Sequence, residues 1–153
     1  MIKEVNIQKV MLSLFIYYQN NFHMLHWKSK GKGFDTAHKQ ITSDYYETLA
    51  DDIDDIAEVL LRNDINPPSY KEVLEILEES DIEVITIDNE KNYDIEDIIK
   101  LSQKMLEDLF KVLIEVHEIP EMKEVKNIGV LSFYENLIDK YDKECRYLNK
   151  RRF

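Results

Sequence analysis

The chain has 153 residues, 31 acidic against 20 basic, and a formal charge of −11. This suits one domain with a sizeable core and argues against general nucleic-acid binding, which needs clustered Lys and Arg to neutralise phosphates. A single cysteine, Cys145, excludes an intrachain disulfide and suits a reducing compartment. No apolar run is long enough to span a bilayer, and the start, MIKEVNIQKV, lacks the apolar core of a signal peptide, so a soluble cytoplasmic protein is expected.

Three glycines and three prolines occur, the prolines between long periodic stretches, and this predicts an all-helical chain. The first helix runs from roughly Val5 to Trp27, with Ile7, Met11, Leu14, Tyr18 and Leu25 as its apolar stripe. Lys30-Gly31-Lys32-Gly33 makes a turn. A second helix follows Phe34, with Asp35 or Thr36 able to cap it. Its stripe is Ile41, Tyr45, Leu49, Ile53, Ile56 and Leu60, and it ends near Asn63, before Asn66-Pro67-Pro68-Ser69. Ser69 caps a short helix, Tyr70 to about Glu79, with Glu72 completing a capping box. The stretch from Ile82 to Asn92 is a linker, because its β-branched run Val84-Ile85-Thr86-Ile87 would be a strand without a partner. A third long helix runs from Ile95 to about Glu118 with Ile98, Met105, Leu109, Val112 and Val116 inward; Pro120 ends it or opens the last turn. The fourth runs from about Val125 or Val130 to Leu148. The expected fold is a single all-α domain, residues 1–153: a four-helix bundle with a short helix in the crossover between the second and third long helices.

From Asp44 to Glu58 the second helix carries seven acids and no basic residue. At about 100° per residue, Glu47, Asp51, Asp54 and Glu58 lie opposite its apolar stripe, as a solvated acidic face also would. An interior di-iron centre needs Glu residues and Glu-x-x-His pairs projecting inward. The third helix offers Glu115, His117 and Glu118 without that spacing, so no interior centre is expected. Asp54 and Glu58, one turn apart, instead present two oxygen donors outward. His26, at the edge of the first stripe, and His38, near the start of the second helix, add nitrogen donors, and imidazole with carboxylate suits iron or zinc. Such a set asks for a subunit interface. His23, about 60° around the helix from His26, reads as surface, His117 as a polar position without a named partner, and Cys145 as a small core residue. Phe22, Phe34, Tyr45 and Tyr46 fit ordinary packing.

His26-Trp27, then Gly31, Phe34 and His38, followed by Asp54-Asp55-Ile56-Ala57-Glu58, resembles the signature of the Dps-like proteins, the small ferritins of starved cells. Pro67, Pro68 and the helix that follows Ser69 stand where that family has its short crossover helix. The resemblance implies a ferritin-like bundle and a hollow shell of twelve subunits. It also implies iron storage, with Fe(II) oxidised to Fe(III) by peroxide or dioxygen at two-fold interfaces. His26 and His38 would be ligands from one subunit, and Asp54 and Glu58 from its partner. Trp27 would sit beside the centre, where the family has an aromatic that takes up oxidising equivalents; packing at an interface is the other reading of Trp27.

The sequence departs from the family in two places. Thr42 stands where a carboxylate usually follows the second histidine by four residues, and the step from His38 to Asp54 is one residue long. A one-residue bulge in the helix would restore the phase and bring Asp44 into the ligand set. A lysine-rich N-terminal arm is missing, so strong DNA binding is not expected. Two alternatives stand beside the ferroxidase: a ferritin-like structural or interaction protein without that activity, and a monomeric or dimeric helical module whose acidic face is only solubilising.

Overall fold

A computed structural model describes residues 6–150. Residues 1–5, with Val5 at the start of the expected first helix, and residues 151–153 lie outside the described part. The chain forms α1 (Ile7–Lys28), a single turn α2 (Phe34–Thr36), a π-helical segment (Ala37–Thr42), α3 (Ser43–Arg62), a short α4 (Tyr70–Glu79), α5 (Ile95–His117), two 3-10 turns (Pro120–Lys123 and Val125–Asn127) and α6 (Ile128–Lys150). Helix α1 packs on α3, α4 and α5, and α5 packs on α6, which is the expected bundle with its short helix in the crossover. The predicted stripes converge in one core. Met11, Leu14, Tyr18 and Leu25 of α1, Leu49, Ile56 and Leu60 of α3, and Ile98, Met105, Leu109, Val112 and Val116 of α5 are all buried. Ile53 is half-buried, packed against the core from its edge.

The caps differ in part from expectation. The side chain of Asn6 accepts from the Gln8 amide at 2.9 Å and opens α1. Ser69 and Glu72 form the reciprocal capping box at α4. At α2, however, neither Asp35 nor Thr36 caps: the N-cap is Gly33, in the left-handed conformation at φ 74°. A Cβ there would meet the Ile95 side chain at 2.5 Å, so the turn lies too close to α5 for any side chain. Its partner in sequence, Gly31, also has positive φ, 85°, but faces open space.

Among the described residues the crossover forms no strand, and side chains of α1 explain why. In the middle of its β-branched run the backbone is already taken: the Ile85 amide donates to Tyr18 Oη at 3.1 Å and the Ile85 carbonyl accepts from Asn21 at 2.7 Å. Tyr18 Oη in turn donates to Asp108 at 2.5 Å. At the crossover's end Tyr93 bridges the turn after α1, donating to the Lys28 carbonyl and accepting from the Lys30 amide, each at 2.9 Å. These bonds clamp the α1–α2 turn, and with it both conspicuous histidines, against the start of α5.

One acid on α3 does not face outward with its neighbours. Asp52 is only 4% exposed. It accepts from Tyr141 Oη at 2.6 Å and from Lys140 Nζ at 2.9 Å, tying α3 to α6 through the core.

Candidate metal centre

The segment between α2 and α3 contains a one-residue bulge of the kind that would restore the phase. From Ala37 to Thr42 the helix widens to a π turn and then resumes as α3, absorbing one residue without breaking the hydrogen-bonded run. Within this wide turn His38 comes against His26 of α1. Their rings stack with centroids 3.6 Å apart and planes 15° from parallel.

Each histidine is held by the other's backbone. His26 Nδ1 lies 3.0 Å from the His38 carbonyl, and His38 Nδ1 lies 2.9 Å from the His26 carbonyl. A carbonyl only accepts, so each Nδ1 carries the proton, and the neutral ring keeps its lone pair on Nε2. This is the tautomer a metal-binding imidazole needs, and the arrangement is what orients such ligands elsewhere. Burial, reinforced by the adjacent His38, lowers the His26 pKa below the ordinary histidine value; the His38 carbonyl and the Glu47 carboxylate oppose that shift. His26 is therefore neutral near pH 7.

Around the pair stands a row of aromatic rings. Phe34 stacks on His38 at 5.0 Å, Tyr46 meets His26 edge-on at 5.2 Å, His23 lies 4.0 Å from Tyr46, and Trp27 stacks on His23 at 5.4 Å. His23, expected on the surface, is half-buried in this row. Its four-residue step to Trp27, which places two helix side chains side by side, was the signal for it. Trp27 itself is 69% exposed. His117, without a named partner in the sequence reading, lies 3.3 Å from Glu118 and 3.9 Å from Glu135. Cys145 is half-buried against the core, and burial pushes its thiol up to about 11.

The carboxylates stand apart from the histidines of their own chain. Asp54 and Glu58 are exposed on α3, and Asp54 is eleven residues beyond Ser43, a rise of about 16 Å along the helix. Glu47, exposed one turn beyond Ser43, is nearer the pair. Ser43 is eleven residues before Asp54 and so shares its face, while the exposed Asp44 is turned about 100° away. Thr42 is buried beneath the histidines and bonds to His26 Nδ1 at 3.1 Å. Among the described residues no three His, Cys, Asp or Glu side chains converge as a metal site within one chain.

No family model matches the chain, and no curated protein matches it in sequence. Solved structures do match in fold. The crystal structure of Helicobacter cinaedi CAIP superposes with a TM-score of 0.79 at 20% identity, over 96% of this chain and 97% of that one. The Dps protein of Vibrio cholerae O1, described as a member of a broad superfamily of ferritin-like diiron-carboxylate proteins, does so with 0.79 at 20% identity, over 95% and 86%. Dps from Staphylococcus aureus gives 0.77 at 19% identity, over 95% and 92%. No helix among the described residues is long and apolar enough to cross a membrane. The likeness extends over nearly the whole length of these proteins: the chain has the ferritin-like four-helix fold of the Dps proteins.

Proposed function

We propose that the protein binds iron as substrate and cargo, oxidising Fe(II) to Fe(III) with peroxide or dioxygen and storing the product. The site is built between two copies of the chain, His26 and His38 from one and Asp54 and Glu58 from the other, within a closed assembly that we take to be a dodecamer. The observation that carries this reading is the reciprocal histidine pair. Two stacked imidazoles, each with Nδ1 donating to the other's backbone, leave two Nε2 lone pairs without a hydrogen-bond partner among the described residues. The outward carboxylates about 16 Å or more along α3 have the complementary need. A self-complementary surface of this kind closes most simply about a two-fold axis.

In this site the imidazoles bind Fe(II) without adding charge, and the carboxylates supply hard oxygen donors that favour the Fe(III) product and so drive oxidation forward. Asp44, exposed near the start of α3 and about 80° around the helix from Asp54, is the weaker member of the ligand set. Glu47 serves as an acid beside His26. Trp27, at the exposed end of the aromatic row, takes up oxidising equivalents or seals the interface. The remaining negative field gathers cations, and DNA binding forms no part of this role. A second reading, a ferritin-like interaction protein without ferroxidase activity, is favoured by one observation: Ser43 occupies the slot that shares a face with Asp54 and carries no carboxylate.

Fe(II) oxidation followed by absorbance at about pH 7 tests the proposal. His26→Ala and Glu58→Ala each slow oxidation at least about tenfold, as loss of a metal ligand requires, while helicity is retained. Asp51→Asn, on the same acidic face but outside the ligand set, leaves the rate within about twofold. Unchanged rates in both ligand variants sink the ferroxidase reading, and equal losses in all three replace a defined centre with a diffuse field.

A further inference from the structure

Thr42 is wholly buried, and its hydroxyl sits among three polar atoms. Its Oγ1 lies 3.0 Å from the Ala37 carbonyl, 3.1 Å from the His38 carbonyl and 3.1 Å from His26 Nδ1. A hydroxyl has one proton to donate and lone pairs with which to accept. Both carbonyls only accept, so the hydroxyl proton goes to one of them and the oxygen is left to receive the His26 Nδ1–H. The π turn makes this possible. In an uninterrupted helix a residue four after His38 lies on the same face as His38; the wider turn carries Thr42 inward beneath both rings and brings the carbonyl five residues back within reach of its side chain.

We infer that Thr42 is a positioning residue for cation binding: its hydroxyl gives the His26 Nδ1–H a second acceptor, ties that ring to the π turn, and so keeps the Nε2 lone pair presented outward. The inference rests on the proposed histidine–carboxylate centre and adds a residue to it that is not a ligand. A buried carboxylate here would carry an uncompensated charge beneath the neutral His26 ring, whereas a hydroxyl satisfies the same Nδ1–H without one. Threonine is suited to the place in another way, since its branched Cβ restricts the side-chain rotation that would swing Oγ1 off the ring.

The test uses three forms of the full chain: the unaltered protein, Thr42→Val, which keeps the shape and removes the hydroxyl, and Thr42→Ser, which keeps the hydroxyl. Two measurements are made on each. Nitrogen-15 NMR of the metal-free protein, at a pH where His26 is neutral, reports which ring nitrogen carries the proton. Titration with Co(II) alone, followed by its visible absorption, reports affinity. Thr42→Val leaves the His38 carbonyl as the one remaining acceptor of the His26 Nδ1–H, and is expected to raise the Nε2–H tautomer of His26 by a measurable minor fraction and to weaken Co(II) binding about tenfold, the low end of what an outer partner of a metal-binding histidine carries. Thr42→Ser is expected to keep both properties close to the unaltered protein. An unchanged His26 tautomer in Thr42→Val overturns the inference, even if Co(II) binds more weakly, because the effect then comes from the fold and not from the hydroxyl. Failure of the unaltered protein to bind Co(II) tells against the proposed centre instead. The tautomer comparison still decides the role of Thr42 in that case.

Discussion

Asp52 and Asp54 are two residues apart on α3 and do opposite things. Asp52 is buried and receives the Tyr141 hydroxyl and the Lys140 ammonium, whereas Asp54 is exposed. Removing Asp52 strands a buried hydroxyl and leaves a cation unpaired. Asp52→Ala is therefore expected to cost about 2–3 kcal/mol, less than breaking a wholly buried pair because Lys140 is 41% exposed. Asp54→Ala is expected to change stability by no more than about 0.5 kcal/mol. Urea denaturation of both variants checks the contrast, and equal destabilisation would remove the structural distinction between the two acids. This contrast was not legible in the sequence. The acidic run gave a helix face by its period, but nothing in one sequence showed that a lysine and a tyrosine 88 and 89 positions later would claim one acid. The histidines were more legible, because His26, Trp27, Gly31 and His38 stand in a recognisable spacing. The partners of their Nδ1 atoms were not, since those are backbone carbonyls and leave no mark on residue identity.

At the scale of elements, the step from His38 to Asp54 is one residue longer than in the family it resembles, and the π turn at Ala37–Thr42 is the bulge that absorbs the extra residue. The resumed α-helix puts Ser43 on the Asp54 face and the expected ligand Asp44 about 80° around from it. The stripes and the capping box at Ser69 were legible because local periodicity and local hydrogen bonds determine them. The closeness of the α1–α2 turn to Ile95 was not, because it depends on how the crossover returns. Gly31 and Gly33 separate these effects. Gly31→Ala meets only the left-handed backbone, at about 1–2 kcal/mol. Gly33→Ala meets that penalty and also the Ile95 side chain, adding about 1–3 kcal/mol of overpacking. Thermal unfolding should rank Gly33→Ala clearly below Gly31→Ala. The reverse order would mean that the turn does not approach α5 as closely as described.

For the whole molecule, the core is fastened by buried phenols as well as by apolar packing. Burial raises the Tyr134 hydroxyl pKa; burial together with Asp108 raises that of Tyr18, and burial together with Asp52 that of Tyr141. Burial raises the Cys145 thiol from 9.0 to about 11. For a group whose folded pKa is raised, the stabilisation is present below the unfolded value and is lost as pH climbs through the folded one. Stability should thus begin to fall above about pH 9, where an unfolded thiol ionises, and fall further above about pH 10 as unfolded tyrosines do so. Alkaline titration read at 295 nm, alongside far-ultraviolet circular dichroism, should show a class of tyrosines that ionises only as helicity collapses. Smooth ionisation of all nine near pH 10 with intact helices would contradict the buried assignments.

The proposed centre draws its histidines and its carboxylates from different copies of the chain. The most direct measurement mixes His26→Ala with Glu58→Ala in equal amounts, dissociates and reassembles them together, and counts tightly bound Co(II) per chain. Each variant alone lacks one of the four ligands at every site and should bind Co(II) tightly at almost none of them. In random two-fold pairs, roughly a quarter of the sites receive an intact histidine pair from one copy and intact carboxylates from the other. Recovery of about that fraction of the unaltered capacity, with Fe(II) oxidation returning in proportion, is the predicted result. No recovery in the mixture, with each variant alone defective, would contradict the shared centre and place all the ligands within one chain.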